Sequence, residues 1–524
     1  MLKYLLKRLL HGLISIIIVV AIVMVLVYSF MDRDAIFQKD NTYSKISENT
    51  KEEYKYRTWG KYGYIEYFSY GDYLQILVDD KEISSEQANE LSKIGYDYDK
   101  DSEDVSQYVS KYRTYCSKKG YTVKRLKAKT ISEFSDVLKT GGEPYLFAYK
   151  DINVFVRLWK YFTRIITIDN IHYADGEIDG RGISFTFFDP AYGGKVFSPA
   201  IIGNGTKHKF LLYFDNHFPF IHQNLISVNL GTSYSVNQGV DIMTTMTETQ
   251  GSMQYGDVTY PTGYTEYSTD DLHTLQYVKN SNSSDYTATR FTDDYTYVVS
   301  RKSGMSRIGY SFVIGLLATI LSYLVGVPLG ILMAHRKDKI ADKIGTIYIV
   351  FIMAVPSLAY IFMFRELGVN LFGLPRLFDT VASPVVYILP IVSLALPTIA
   401  NLMKWLRRYM IDQMNSDYVK FARSGGLSEG EIFRKHILKN AAIPLIHGIP
   451  GSILGCLTGA IITESVYLVP GTGDLLVRAI DNYDNSVIIG VALFYAVLSV
   501  VSLILGDILM ALADPRISFN TKGR

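Results

Sequence analysis

The sequence predicts an α-helical polytopic membrane protein with six transmembrane helices and an α+β domain inserted between the first two. The 524 residues are 48% hydrophobic and 20% charged, yet the charge is concentrated in blocks. Because about 20 apolar residues cross the hydrocarbon layer as a helix, a long charge-free window predicts one span. Six such windows contain no Asp, Glu, Lys or Arg: 9–30, 308–334, 344–364, 380–403, 441–463 and 486–506.

The first window has two interpretations, a cleaved signal peptide or an uncut membrane anchor. Lys3, Lys7 and Arg8 precede it, as in both classes. Its apolar part is long and ends in Tyr28-Ser29-Phe30 without a small-residue cleavage pattern. We therefore interpret residues 9–30 as an uncut signal anchor.

The basic residues predict how the spans are oriented. The segments that lie inside when the N-terminus is cytoplasmic are 1–8, 335–343, 404–440 and 514–524. They hold 18 Lys or Arg against 7 acidic residues, whereas the short outer loops 365–384 and 464–485 hold 3 basic and 6 acidic residues. Because Lys and Arg are enriched in cytoplasmic loops, we expect both termini inside and the large domain outside.

Residues 31–305 are predicted to form this extracellular domain. It carries 29 of the 41 tyrosines, which suit an ordinary mixed α and β domain and a partner-binding face equally well. ISFTFF (183–188) and KFLLYF (209–214) predict strands, residues 81–140 predict helices, and the Ser-, Asp- and Thr-rich stretch 270–297 predicts a loop. The predicted division of the chain is anchor 1–30, extracellular domain 31–305, later helices 306–513 and cytoplasmic tail 514–524.

One cluster in this domain has the residue types of a metal site: His208, Asp215, His217 and His222. His217 and His222 are five residues apart and separated by Pro219, which fits neither a helix face nor alternate strand positions. We therefore favour exposed turn histidines and expect no metal site.

The sequence contains no Gly-x-x-x-x-Gly-Lys-Ser/Thr loop, whose backbone amides would hold phosphates. We do not expect the chain to hydrolyse ATP, and no catalytic residue is predicted. Two acids lie near the ends of predicted spans, Glu464 in the fifth and Asp507 in the sixth. We expect both to reach the interface or a partner rather than to line a proton route.

The segment GGLSEGEIFRKHILKNAAIP (425–444) is dense with charge although it lies between two apolar windows. A helix predicted over 416–424 ends at Gly425 and Gly426, where glycine adopts the left-handed conformation that terminates helices. Ser428 then begins a second helix as its N-cap, and Glu431 completes a capping box.

Leu427 and Ile432 occupy the positions of a hydrophobic staple at the start of this second helix. The helix is predicted to end at Asn440, before Pro444 in the next window. Two short helices at an angle would then form a rigid knob on the inner face.

The alternative interpretation of this loop is an amphipathic segment lying on the anionic leaflet. The paired glycines and the capping box favour the knob. The basic residues that would suit the alternative are Arg423, Arg434, Lys435 and Lys439.

DYVKFARSGGLSEGEIFRKHILKNAAIP (417–444) resembles the coupling loop of importer-type ABC permeases, and specifically that of the peptide and nickel permease group. The wider family has Glu-Ala-Ala where this sequence has Lys420, Phe421 and Ala422, so the acidic residue is absent. His436 stands where many sugar permeases have isoleucine. These departures are usual for the peptide group.

Further segments resemble the same group, from residue 305 to the end of the chain. They include ILPIVSLALPTIANLMKWLRRYM (388–410), ITESVYLVPGTGDLL (462–476) and DPRIS (514–518). The large insertion, with LGTSYSVNQGVD (230–241), resembles that of streptococcal oligopeptide permeases of the Ami type. The prolines 328, 356, 390 and 397 lie within spans and predict kinks.

The resemblance implies a permease subunit of an oligopeptide ABC importer in a bacterial cell membrane, with the type I importer fold. The implied partners are a homologous second permease, two cytoplasmic ATPase subunits that bind ATP and magnesium, and an extracellular peptide-binding lipoprotein. No cofactor of this chain and no nucleic-acid partner are expected. The residues implied to form the ATPase-coupling site are Tyr418, Ala422, Arg423, Gly425, Gly426, Leu427, Ser428, Glu431, Ile432, His436, Asn440 and Pro444.

Two other classes share some of these features. A signalling receptor with an extracellular sensor would need a cytoplasmic output domain, whereas the longest inner loop here is 404–440. A mechanotransmission-type ABC protein also has a large exported domain after its first span, but it has four spans and lacks this coupling loop.

Overall fold

The structure is a computed structural model that describes residues 2–46, 48–95, 97–127, 144–215, 220–281, 284–380, 383–456 and 460–513. Long apolar helices occupy the two ends of the chain, and residues 31–305, hereafter the inserted segment, combine helices and strands. The first helix is α1 (Leu2–Phe30). The predicted tail 514–524 lies outside the described residues.

The first part of the inserted segment is a three-stranded antiparallel sheet, in the order β1-β3-β2, with helices packed on it. A capping box between Ser69 and Asp72 starts the helix that follows β1. Tyr112, Cys116 and Leu146 are buried in the core between helices and sheet. The elements are α2 (Asn41–Lys45), α3 (Glu48–Lys61), β1 (Ile65–Ser69), α4 (Tyr70–Asp79), α5 (Ser85–Leu91), α6 (Glu103–Lys118), β2 (Thr122–Leu126), β3 (Tyr145–Asp151) and α7 (Val154–Arg164).

The prediction of helices over 81–140 is therefore only partly right. α5 and α6 are helical, but Thr122–Leu126 is a strand because it pairs with β3 in full register from Thr122 opposite Tyr149 to Leu126 opposite Tyr145. Residues 128–143 lie outside the described part of the chain.

The second part of the inserted segment is mostly β structure. A four-stranded antiparallel sheet has the order β5-β6-β7-β8, and shorter pairs join β4 to β9, β10 to β11 and β12 to β13. Strands cover ISFTFF and all of KFLLYF except Lys209, which confirms these two predictions. The elements are β4 (Ile166–Ile168), β5 (Gly182–Phe188), β6 (Phe197–Asn204), β7 (Phe210–Phe214), β8 (Ile221–Gln223), β9 (Ile226–Val228), α8 (Ile242–Thr247), β10 (Gly256–Thr259), β11 (Thr265–Ser268), β12 (Asp270–Tyr277), α9 (Asp285–Arg290) and β13 (Tyr295–Ser300).

The prediction of a loop over 270–297 was wrong. This stretch forms β12, α9 and the start of β13. Leu272 and Leu275 of β12 are buried against Phe210, Phe291 and Tyr295. The two strands form because these few apolar side chains are buried in a core. The polar composition of the stretch as a whole gives no sign of this burial.

The histidines of the candidate metal cluster have separate surroundings. His208 Nδ1 lies 3.2 Å from Asp169 Oδ2, and the His222 ring stacks on Tyr213 at 5.2 Å. His217 lies outside the described residues, and among those described no group of histidine, cysteine and acidic side chains could hold a metal ion.

A different histidine, His273, is buried and ion-paired. Its Nε2 lies 2.8 Å from Asp189 Oδ2, and Asp271 is on its other side. Burial lowers the pKa of His273, but the hydrogen bonds with the two carboxylates outweigh it and raise this pKa to about 9. The charged imidazole therefore ties β12 to the turn after β5 at neutral pH.

The chain after residue 306 is helical. α10 packs along α13, α16 packs along α19, and α1 packs along α19 as well. The elements are α10 (Arg307–His335), α11 (Ile340–Ala354), α12 (Ser357–Phe372), α13 (Ile388–Met414), α14 (Asp417–Ser424), α15 (Glu429–Glu431), a π-helix (Ile432–Leu438), α16 (Lys439–Gly455), α17 (Ile461–Tyr467), α18 (Thr472–Asp481) and α19 (Asn485–Ala513).

The window 344–364 is not one continuous helix. α11 and α12 are bent by 114° at Val355 and Pro356. Val355 is extended (φ −81°, ψ 132°), as the residue before a proline prefers, and Pro356 cannot donate to the preceding turn. The described residues contain five helices of spanning length, or six spans when this bent pair counts as one.

Asp484 joins the inserted segment to the start of α19. Its Oδ2 accepts hydrogen bonds from the backbone amides of Tyr234 (2.8 Å) and Ser235 (2.9 Å) and from the Ser233 hydroxyl (2.8 Å). Its Oδ1 accepts from the amide of Val487 at the first turn of α19. One buried carboxylate thus fixes the loop 233–236 on a membrane helix.

Candidate functional site

The candidate coupling site begins where α13 ends. The chain turns at Asn415 and Ser416 and enters α14, which matches the helix predicted before the paired glycines. Tyr418 donates to Gln413 Oε1 at 2.6 Å across this turn. Val419 is fully buried, so α14 is fixed to the end of α13 on one side.

The turn after α14 is a Schellman motif. Gly426 has φ +84°, and Leu427 N donates to Ala422 O while Gly426 N donates to Arg423 O. Gly425 has an ordinary φ of −78°. Only Gly426 therefore requires glycine for its conformation.

The capping box predicted at Ser428 and Glu431 is confirmed. Ser428 Oγ accepts from the amide of Glu431, and Glu431 Oε2 accepts from the amide and the hydroxyl of Ser428, at 3.0–3.3 Å. Arg423 forms two hydrogen bonds to Glu429, at 2.5 and 3.0 Å, across the turn. The two helices are thus joined by one ion pair as well as by the backbone.

The second helix of the knob differs from the prediction. It does not end at Asn440, because α15, the π-helix and α16 follow one another from Glu429 to Gly455 without a break. Asn440 and Pro444 lie inside α16. The site is therefore one short helix packed against the extended end of a helix of spanning length, and the backbone is helical without a break from the turn into that helix.

The π-helix explains how this end is packed. Ile432 and Ile437 are five residues apart, the hydrogen-bonding interval of a π-helix, and both are buried. They share a core with Val419 of α14 and with Leu406 and Met410 of α13. Leu427, the predicted staple partner of Ile432, is 37% exposed and is not a member of this core.

Two further contacts extend this core. The Tyr418 and His436 rings lie 6.5 Å apart, and Phe433 meets His335 at the end of α10 edge-on at 5.0 Å. The structure thus brings together Tyr418, Ala422 and the π-helix that begins at Ile432, while at the turn Ser428 is exposed and Glu431 is half-buried.

Sequence reasoning missed the most exposed apolar side chain of the site. Phe421, in the middle of α14, is 82% exposed. A large ring left in water on a short helix that is otherwise tightly held is typical of a contact surface. The sequence signal was an aromatic residue at the position where related loops have alanine.

A second missed feature connects the neighbouring helices on this side of the bundle. Asp342, in the first turn of α11, accepts two hydrogen bonds from Arg407 of α13, at 2.6 and 2.7 Å. Asp342 also accepts from the amide of Asp338. Because the carboxylate is buried, this pair fixes α11 to α13 next to the candidate site.

Glu464 is not at an interface, contrary to the expectation. It is buried, and its carboxylate accepts from the Ser311 hydroxyl (2.8 Å) and from the amides of Gly473 (2.8 Å) and Asp474 (3.1 Å). A Cβ at Gly471 would overlap Glu464 Oε2. The VPGTG part of the motif therefore brings the start of α18 onto the Glu464 carboxyl group, which α10 also contacts through Ser311.

Asp507 has a partner within the chain. Its Oδ2 lies 2.7 Å from Arg8 Nη2, and the Asp507 side chain is mostly buried. This ion pair joins α1 to α19 near the N-terminal end of α1.

The sequence is similar to those of known transport proteins. The family described as binding-protein-dependent transport system inner membrane component matches residues 326–519. The oligopeptide transport system permease protein AmiC of Streptococcus pneumoniae serotype 4 is 32% identical over 529 residues, covering 99% of this chain and 99% of that protein. The dipeptide transport system permease protein DppB of Bacillus subtilis is 31% identical over 214 residues, covering 41% of this chain and 69% of that protein.

Among solved structures, an inward-facing MetNI methionine ABC transporter aligns with 39% of this chain and 93% of its own, at 14% identity and a TM-score of 0.32. The family assignment therefore depends on the sequence relatives and the family match.

Proposed function

The chain belongs to the peptide permeases of ABC transport systems, and from that premise we propose that it forms half of a translocation path for oligopeptides. The observation that carries the proposal is the similarity over 99% of both chains to an oligopeptide permease, because it includes the inserted segment as well as the helices. This similarity does not favour a signalling receptor or a mechanotransmission protein.

The proposed mechanism uses α14 and the turn 425–428 as the docking element for a cytoplasmic ATPase. Two features of the site support it: the exposed Phe421 ring for contact, and the buried Val419–Ile432 core that stiffens the element. When partner ATPases close on ATP and magnesium, the docked turn would pull on Glu429–Gly455 as one lever.

The remaining subunits are proposed from the family. A homologous second permease would complete the path, two ATPase subunits would supply the energy, and a peptide-binding lipoprotein would deliver the oligopeptide to the inserted segment. ATP hydrolysis would belong to the ATPase subunits.

The proposed topology has six spans, with α11 and α12 counted as one bent span. Both termini are placed in the cytoplasm and residues 31–305 outside the bacterial cell membrane. The excess of basic residues in the inner segments supports this orientation.

Cysteine labelling tests this topology. The natural Cys116 and Cys456 are buried, so reporter cysteines have to be introduced. Ser85→Cys and Ser424→Cys both lie at exposed helix positions, one in the inserted segment and one at the end of α14. In intact cells we expect a membrane-impermeant maleimide to label Ser85→Cys, and Ser424→Cys only after the cells are opened. The reverse pattern would invert the proposed orientation.

Peptide uptake tests the function. Cells lacking this chain should lose accumulation of labelled oligopeptides, and the wild-type chain should restore it. Gly426→Ala should restore it several-fold less well, because an L-residue in the left-handed conformation costs about 1–2 kcal/mol, while no atom within 4 Å would meet the new Cβ.

Gly425→Ala is the matched control for this substitution. Its Cβ would make only ordinary contacts at 3.5 Å, and its φ is allowed for any residue. Equal uptake by the two variants would contradict the role of the left-handed turn, and normal peptide uptake without the chain would contradict the function.

A further inference from the structure

Helix α7 packs against the membrane helix α1. Met24 and Val27 of α1 share a core with side chains from one face of α7. A 22-residue window at 1.5 Å per residue just spans the hydrocarbon layer, so these two residues lie within about 10 Å of its boundary on the side of the inserted segment. The α7 residues in this core are Leu158, Tyr161 and Phe162, followed by Ile165.

The other face of α7 is apolar and uncovered among the described residues. Phe155 is 77% exposed and Trp159 is 73% exposed, one helical turn apart. The strand pair that follows α7 also leaves apolar side chains exposed. Ile166 is opposite Val228 and Ile168 is opposite Ile226, and all four are exposed. Aromatic residues at this depth are typical of the membrane interface.

A basic cavity of about 280 Å³ lies between α7, α1 and the start of α19. Four cationic side chains line it, together with Tyr28, Tyr62 and Tyr161, and no carboxylate is among its described lining residues. The cationic residues are Lys61, Arg157, Lys160 and Arg164.

Arg157 is the most constrained of these cations. Its guanidinium lies 4.0 Å from the Tyr28 ring centroid, and Nη2 donates to Tyr64 O at 2.9 Å. Its Nε is buried and has no hydrogen-bond partner among the described residues. Lys160 is paired with Glu66 at 3.1 Å, which leaves the cavity with excess positive charge.

We propose that this cavity binds the phosphate of an anionic phospholipid whose acyl chains lie along the exposed face of α7. Charge selects an anion, and the exposed apolar side chains of α7, on a helix that packs against a helix of spanning length, select a lipid over a soluble anion. Under the topology proposed above, this is the outer leaflet. The site depends on the membrane placement of α1 and does not depend on transport.

Lipid retention tests the headgroup site. The intact complex is reconstituted into nanodiscs that contain equal amounts of phosphatidylglycerol and phosphatidylcholine. The lipid that stays bound after release from the nanodisc is identified by native mass spectrometry. We expect the wild type to retain phosphatidylglycerol in preference to phosphatidylcholine. A 10-fold excess of inorganic phosphate should not change this preference. The double variant Lys61→Gln, Arg164→Gln should retain about tenfold less phosphatidylglycerol than the wild type.

The two substituted residues are exposed, so the folded chain should tolerate their loss. Lys93→Gln, which removes an exposed lysine paired with Glu90, is the control and should retain lipid as the wild type does. Displacement by inorganic phosphate would identify a free-anion site, and equal retention of both lipids or no effect of the double substitution would also overturn the proposal.

Fluorescence tests the acyl-chain surface independently of transport activity. Subtracting the emission spectrum of the Trp159→Phe variant from that of the wild type isolates the fluorescence of Trp159. We expect this difference to be quenched by lipids brominated near the headgroup end of their chains. An unquenched difference spectrum, from an indole in water or covered by another protein surface, would overturn the proposed lipid contact.

Discussion

Replacing Phe421 with serine should reduce ATP-driven peptide uptake to background while leaving the amount of the chain in membranes unchanged. The Phe421 side chain is 82% exposed, so its loss removes little from the folded permease. An aromatic hot spot in a partner's cleft contributes about 2–4 kcal/mol, which is roughly 30- to 700-fold in affinity. Co-purification of the ATPase subunits and uptake into proteoliposomes would measure both effects.

Two variants separate docking from general damage. Phe421→Met keeps a large apolar side chain and should retain most of the uptake. Tyr286→Ser removes another strongly exposed aromatic side chain, in the inserted segment, and should leave ATPase binding unchanged. Full uptake and normal ATPase binding by Phe421→Ser would show that the ring does not contact the ATPase.

Replacing Glu464 with alanine should prevent stable accumulation of the chain. The substitution would leave the amides of Gly473 and Asp474 and the Ser311 hydroxyl without their acceptor in a buried site. Each unsatisfied group costs about 1–3 kcal/mol, so the sum is comparable with the 5–15 kcal/mol that stabilises a typical domain. The amount in membranes and the Tm in detergent would measure the loss.

Glu464→Gln is the graded form of this test, because it keeps one acceptor oxygen and should lose less stability. Glu366→Gln removes an acid that pairs at the surface with Arg365 and Arg376, and it should change the Tm little. If the Glu464→Ala chain accumulated in membranes as the wild type does, the buried cap would be refuted. Glu464 would then lie at an interface, as the sequence predicts.

The long apolar elements were predictable from the sequence because a bilayer imposes a length and a polarity that each window must satisfy by itself. α1, α10, α13 and α19 overlap four of the charge-free windows. The turn at Gly426 and the capping box of Ser428 and Glu431 were predictable for a similar reason. Their hydrogen bonds join residues three to five positions apart, so the local sequence contains both partners.

The continuation of the helix after Ser428 was not predictable in this way. Asn440 and Pro444 are usual signs of a helix end, and the sequence interpretation used them as such. The helix instead continues because Ile432 and Ile437 are buried against α13 and α14. The tertiary core outweighed the local propensity, so the predicted short knob is instead the end of a helix of spanning length.

The sequence by itself determined the membrane class, the positions of most long apolar helices, the local caps of the turn 425–428 and, by resemblance, the permease family. Only the tertiary structure decided that Glu464 caps α18, that Asp484 holds the loop 233–236, and that Phe421 is left exposed. The physical reason is distance along the chain. Asp484 and Ser233 are 251 residues apart, and Glu464 and Ser311 are 153 apart. A carboxylate's partners at such separations are fixed by how helices pack, which no local pattern of residues specifies.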